Sequence, residues 1–185
     1  MKKVYLIHGF EGKPNGGWCT YIMRELAKQD IYACSLSMPS PEKPILSEWL
    51  NEIKQYIDRD INDEIYLIGH SLGGTTILRY LEKFDSQNIK GVIMVSAPCV
   101  NKKESSRISE FLREDFNWSI IKNKVNKVVV IHGDDDPSVP ISDAEKIIKE
   151  LEGELIVIKN GKHLNGGAGF TELSELLESI LNMIK

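Results

Sequence analysis

Six short runs of apolar residues punctuate the chain: Val4–Ile7, Ile31–Leu36, Ile65–Ile68, Val92–Val95, Val128–Ile131 and Leu155–Ile158. Between them apolar residues return every three or four positions, as in Trp18, Tyr21, Ile22 and Leu26, or Trp49, Leu50, Ile53, Tyr56 and Ile57. The first pattern predicts strands and the second amphipathic helices. Further helices are predicted after Ser71, over Ser109–Arg113, over Ser142–Leu151, and along the C-terminal stripe Phe170, Leu173, Leu176, Leu177, Ile180, Leu181 and Ile184. Pro39, Pro41 and Pro44 forbid regular structure before the second helix. Ser142-Asp-Ala-Glu145 has the form of a capping box, predicting where its helix starts. Strands that are apolar throughout, rather than alternating, belong to a parallel sheet covered on both faces, and strict β–α alternation says the same.

One junction carries more than pattern. Ile65-Tyr-Leu-Ile-Gly69-His70-Ser71-Leu72-Gly73 runs from an apolar strand through Gly-x-Ser-x-Gly into a helical stripe. Such a turn pushes its central residue into a strained conformation, and small residues two before and two after keep strand and helix apart. Ser71 is then an exposed hydroxyl, and the Leu72 N–H points to where an oxyanion would form. The pentapeptide alone could equally be a glycine-rich turn whose serine caps a helix; it gains weight only from partners elsewhere in the chain.

Composition narrows the classes. The 185 residues make one domain, residues 1–185, with a formal charge of −4 and no block of like charge. That disfavours nucleic acid and a membrane surface as partners. Cys19, Cys34 and Cys99 are odd in number and widely spaced, which suggests buried thiols rather than a disulfide framework or zinc site. The N-terminal apolar run is too short for a signal peptide, and no stretch approaches the roughly 20 apolar residues of a bilayer span. A cytoplasmic protein is expected.

In an open parallel sheet, ligands bind at the carboxyl ends of the strands. The loops there are His8-Gly-Phe10-Glu11-Gly12, the Ser71 turn, His132-Gly-Asp134-Asp135-Asp136-Pro137, and Asn160-Gly-Lys162-His163-Leu164-Asn165-Gly166-Gly167. A serine nucleophile needs a base and a group to orient that base. His8, His70 and His132 each abut a strand end and read as satisfied structural histidines. His163 lies in a polar, glycine-rich loop and reads as the base. The three acids lack the spacing of a calcium loop, so no metal is expected. One of them would hold the His163 ring, with the other two solvated or capping the turn.

The chain resembles the α/β-hydrolases, specifically the small serine hydrolases related to retinoblastoma-binding protein nine. The likeness rests on Gly69–Gly73, Phe116-Asn117-Trp118, Asp135-Asp136-Pro137-Ser138-Val139-Pro140, and Gly161–Asn165 running into Gly169-Phe170-Thr171-Glu172. It implies a compact α/β fold: a six-stranded, mostly parallel sheet in the order 2-1-3-4-5-6, helices on both faces and no cap domain. It also implies Ser71 as nucleophile, Asp136 as orienting acid and His163 as base. The oxyanion would rest on the N–H groups of Leu72 and Phe10, with Glu11 the rival of Phe10. Phe10, Phe116 and Trp118 are the aromatic residues best placed to wall a shallow pocket, though each could equally be core, and Ala97–Asn126 is too short for a lid. The expected activity is hydrolysis of a small acyl ester with no cofactor. Thioesterase or aminopeptidase-like activity, or a protein-binding module on a hydrolase scaffold, are the alternatives.

Overall fold

The computed structural model describes residues 1–85, 87–100 and 107–185. Six strands, β1 (Lys2–Ile7), β2 (Tyr32–Leu36), β3 (Glu64–His70), β4 (Ile89–Val95), β5 (Val128–Gly133) and β6 (Glu154–Ile158), form one sheet ordered β2-β1-β3-β4-β5-β6. Every adjacent pair is parallel. Successive residues of a strand point to opposite faces, so each apolar run feeds two cores. Tyr5, Ile7, Ile65, Leu67, Val92, Met94 and Val130 pack one side, and Val4, Leu6, Tyr66, Ile68, Ile93, Val95 and Ile131 the other. That is why the strands show no alternation: an inward side chain on either face is worth about 1.5–3 kcal/mol when fully buried.

Helices α1 (Cys19–Ala27) and α7 (Ser174–Ile184) cover the second face. The first is covered by α2 (Leu46–Arg59), α3 (Leu72–Lys83), α4 (Ser109–Leu112), α5 (Trp118–Lys122) and α6 (Ile141–Leu151). Because β1 lies between β2 and β3, the chain reverses its direction of winding at the β1–β3 boundary, opening a crevice beyond their carboxyl ends.

Three sequence expectations need correction. Helix α6 begins at Ile141 after Pro140, so Ser142 and Glu145 lie inside it and form no capping box. Asp143 is the residue of that turn that bonds elsewhere: buried, it accepts the N–H groups of Cys99 (2.9 Å) and Val100 (3.2 Å). Second, Phe116 and Trp118 belong to the core rather than to a pocket. Phe116 is buried, its ring 5.1 Å from that of Trp118 and 3.8 Å from the Arg79 guanidinium. Arg79 also donates to the Phe111 carbonyl at 2.9 Å, which ties α4 and the following turn to α3. Third, the short helix α5, capped by the Asn117 side chain on the Ile120 N–H (3.2 Å), escapes the apolar pattern because it is little more than one turn. Residues 101–106 of the segment read as too short for a lid lie outside the described residues.

Candidate active site

The β1–β3 crevice holds a cavity of about 340 Å³ between the loop following β1 and the loop carrying His163. Ser71, His70 and His163 line it with Phe10, Trp18 and Asn165, and six glycines supply much of the remaining wall. A larger hollow of about 580 Å³ lies at the opposite end of the sheet, among the starts of β5 and β6 and helix α7. It carries Glu152, Glu154, Glu175, Glu178 and Lys127 with no imidazole, and its hydroxyl, that of Ser179, donates to the Glu175 carbonyl within α7, so the smaller cavity is the candidate.

Ser71 sits between β3 and α3 at φ 50°, ψ −119°. For a non-glycine residue this backbone costs on the order of 1–3 kcal/mol, and its surroundings must impose it. They do so by close approach. A Cβ on Gly69 would lie 2.4 Å from the Gly74 nitrogen, and one on Gly73 2.2 Å from the Ile7 carbonyl oxygen. The Ser71 N–H is anchored on the Val95 carbonyl at 2.8 Å. Leu72 opens α3, so its N–H is one of the four a helix leaves without an internal partner.

The second candidate oxyanion donor lies in the loop after β1. The Glu11 N–H is committed to the Pro41 carbonyl at 2.9 Å, which removes Glu11 as a rival to Phe10. Among the described residues the Phe10 and Leu72 N–H groups meet no acceptor outside their own elements. Phe10 also lines the cavity, its ring covered by the Arg107 guanidinium at 4.5 Å, while Arg107 pairs with the Glu11 carboxylate at 3.1 Å.

The side chain of Asp136 is fully buried, and its Oδ2 accepts the Nδ1–H of His163 at 2.8 Å. Its Oδ1 accepts the N–H groups of Ser138 (2.8 Å) and Val139 (3.0 Å). Burial works to raise this carboxyl's pKa, but the bonds from His163, Val139 and Ser138 outweigh it and hold the pKa below its ordinary value. With Nδ1–H committed to the carboxylate, a neutral His163 keeps its lone pair on Nε2, at a ring that remains 15% exposed in the cavity.

The other two acids are exposed, as expected, but they bond a distant loop instead of capping their own turn. Asp134 accepts the Asn160 N–H and Asp135 the Lys162 N–H, each at 2.7 Å, so both hold the backbone of the loop whose ring Asp136 holds. Gly133 makes this possible: a Cβ there would stand 2.2 Å from the Lys162 carbonyl oxygen.

Each of the remaining histidines bonds the backbone, as the sequence reading expects, except that the buried Nδ1 of His132 meets no partner among the described residues. His8 Nε2 accepts the Met38 N–H at 3.2 Å, so its Nδ1–H donates to the Gly9 carbonyl at 2.9 Å, and burial lowers its pKa. Buried His132 donates from Nε2 to the Val139 carbonyl at 3.0 Å, with Asp136 Oδ2 3.7 Å away. His70 donates from Nε2 to the His163 carbonyl at 2.9 Å, a contact across 93 positions with no signature in the sequence.

Cys19, the one other nucleophile type on the cavity wall, has its thiol pushed up to about 11 by burial and so stays protonated. Among the described residues no group of histidines, cysteines or acids is arranged to hold a metal ion. No described helix is long and apolar enough to cross a membrane.

Comparison with known proteins agrees with this architecture. The model of a family described as serine hydrolase matches residues 4–182. YdeN of Bacillus subtilis, described as a hydrolase, is 30% identical over 173 residues, covering 93% of this chain and 90% of its own. The crystal structure of the B. subtilis ydeN gene product superposes with a TM-score of 0.93 at 28% identity, covering 100% of this chain and 99% of that one. Est1E from Butyrivibrio proteoclasticus shares the fold at a TM-score of 0.77 and 18% identity, over 99% of this chain and 88% of its own. The match begins within β1 and ends within α7, so it reaches every element, and the chain belongs to the serine hydrolase family.

Proposed function

We propose that the protein hydrolyses a small carboxylic ester through an acyl-enzyme intermediate, with Ser71 as nucleophile, His163 as base and Asp136 as its orienting acid. The observation that carries this reading is the 2.8 Å bond from His163 Nδ1 to buried Asp136 beside a cavity that also contains the strained Ser71. In the first half-reaction His163 Nε2 takes the Ser71 hydroxyl proton as Oγ attacks the carbonyl carbon. The tetrahedral oxyanion rests on the N–H groups of Leu72 and Phe10, and the intermediate collapses as His163 returns the proton to the departing alkoxide. In the second, water takes the place of the hydroxyl and releases the acid. Asp136 stabilises the imidazolium in both halves without taking its proton.

Cavity size supports short acyl chains. Each methylene gains about 0.8 kcal/mol only when fully removed from water. The walls here are largely glycine backbone and polar side chains, with Phe10 and Trp18 the large apolar rings among the described lining residues, so a long chain finds little to bury against. We expect p-nitrophenyl acetate and butyrate to give higher kcat/KM than the octanoate or palmitate. A specificity constant that rises steadily beyond butyrate would contradict this. The nucleophile is tested by a fluorophosphonate probe and mass spectrometry: the adduct should fall on Ser71 and vanish in Ser71→Ala. An adduct on any other residue removes the assignment.

A further inference from the structure

His70 has no task in the steps above, yet it is the residue through which the turn bearing Ser71 touches the loop bearing His163. Its Nε2 faces the His163 carbonyl oxygen at 2.9 Å, and because a carbonyl only accepts, Nε2 carries the hydrogen. The two imidazole rings meet edge-to-face, with centroids 5.0 Å apart. On the far side the Trp18 ring stands edge-on to His70 at 6.1 Å, and its Nε1–H donates to the next carbonyl of the loop, that of Leu164, at 2.9 Å. Two ring donors from two different elements thus hold two successive carbonyls of one loop. Loss of hydration keeps His70 neutral, so no second cation stands beside His163 when that ring is protonated.

The loop needs such support because its own backbone resists the shape. Asn160, Lys162 and Leu164 all have positive φ, at 53°, 48° and 47°. Residues in this region persist only where the surroundings over-determine them. The Asp134 and Asp135 carboxylates fix the N–H groups of residues 160 and 162, all before His163. From the other direction the grips on the loop's carbonyls come from His70 and Trp18.

We propose that His70 is a positioning residue that locks the base loop to the nucleophile turn, keeping His163 in register with Ser71 while the ring gains and loses its proton. The proposal rests on the reading of Ser71 and His163 as nucleophile and base, and it gives a role to the residue that precedes the nucleophile. A space-filling histidine would be replaced without kinetic consequence by a ring of similar size.

The decisive pair is His70→Phe, which keeps a ring and loses the donor, and His70→Gln, which loses the ring and keeps an N–H donor. With p-nitrophenyl acetate, His70→Phe should lower kcat by about 10²-fold, the scale of a misplacement near 1 Å, with KM within about twofold. His70→Gln should recover most of that loss. Trp18→Phe, which leaves the turn untouched, should show a smaller fall in the same direction and a less than additive effect with His70→Phe. Hydrogen exchange supplies a readout free of activity: amides 162–167 should exchange faster in His70→Phe, with those of β3 and residues 134–139 unchanged. Wild-type kcat in His70→Phe, equal losses in the Phe and Gln variants, or unchanged exchange in the loop would each overturn the proposal. Should the wild-type protein neither cleave esters nor react with a fluorophosphonate, the function fails, and the exchange experiment alone decides whether His70 holds the loop.

Discussion

Two buried carboxylates at opposite ends of the sheet show how one side chain is put to different uses. Asp60, just after α2, meets Lys3 Nζ at 2.8 Å, Arg59 Nη2 at 3.0 Å and the Tyr5 hydroxyl. Asp136 meets two backbone N–H groups and an imidazole, and among the described residues no lysine or arginine pairs with it. Both are held below the ordinary carboxylate range. For Asp60 the Arg59 guanidinium is the chief cause, working against burial with help from Lys3 and Tyr5; for Asp136 the hydrogen bonds overcome burial. The charge of Asp60 is already neutralised by permanent cations. That of Asp136 is neutralised only when His163 becomes one, and under the proposed function this would distinguish a carboxylate that holds a fold from one that stabilises a passing charge.

Replacing each acid by its amide should separate the two roles most sharply. Asp136→Asn should cost about 10⁴-fold in kcat, because the imidazole loses the partner that fixes its tautomer, while Tm moves by only a few degrees. Asp135→Asn, whose amide oxygen can still accept the Lys162 N–H, should cost far less; if it proves the more damaging, the orienting acid is off by one residue. Asp60→Asn should do the reverse. Breaking a buried pair costs about 3–5 kcal/mol, with the exposure of Arg59 favouring the lower end, so Tm should fall by roughly 6–15 °C. The turnover of what remains folded should stay within about threefold of wild type. Thermal melts and steady-state kinetics on the same samples check both.

Acid should dismantle the two ends in order. The pKa of His70 is lowered from 6.5 to about 4, chiefly by loss of hydration and then by His163, so the unfolded chain takes up this proton first. Stability should therefore fall as pH drops from about 6.5 towards 4, by at most about 3 kcal/mol from this ring, with buried His8 adding in the same direction. Asp60 is shifted in the same direction, downward, but from a lower starting value. Its contribution is present above pH 3.8 and is lost only as pH falls below that value. Hydrogen exchange at pH 5 should thus show the cavity end opening first, and His70→Phe should flatten the slope of denaturant midpoint against pH between 4 and 6.5.

The smallest effects compare two glycines. Gly133→Ala would set a Cβ 2.2 Å from a backbone oxygen of the His163 loop, whereas Gly91→Ala would meet the Met183 sulfur at 2.3 Å, the end of a flexible side chain. The first should cost about 2–3 kcal/mol and lower kcat, and the second less than about 1 kcal/mol with kcat unchanged. Equal destabilisation would mean that the His163 loop yields as easily as a methionine.

The strands and the Ser71 turn were legible because both are local, whereas the order of the strands came only from the family resemblance. Apolar runs announce strands, and glycines two residues either side of a serine announce a sharp turn whatever lies far away. His163 stood apart from the other histidines by its polar, glycine-rich loop, and the structure sets it beside Asp136 on the cavity wall. What could not be read were contacts that depend on which loops come to face each other. Nothing near Asp134 or Asp135 says that they will grip a backbone 26 or 27 residues on. Phe116 and Trp118 looked equally suited to a pocket or a core, and the deciding residue, Arg79, sits on another helix. The choice between Phe10 and Glu11 turned on the Pro41 carbonyl, a hydrogen bond across 30 residues that include α1 and β2.

The φ of 50° at Ser71 has an evolutionary corollary. Glycine occupies that region freely, so on stability alone the favoured residue at position 71 is glycine, and Ser71→Gly would relieve strain on the order of 1–3 kcal/mol. Random substitution filtered only for folding would drift away from serine. Under the proposed chemistry the hydroxyl is what selection retains against that drift, so the molecule at its most stable would be one that no longer turns over substrate.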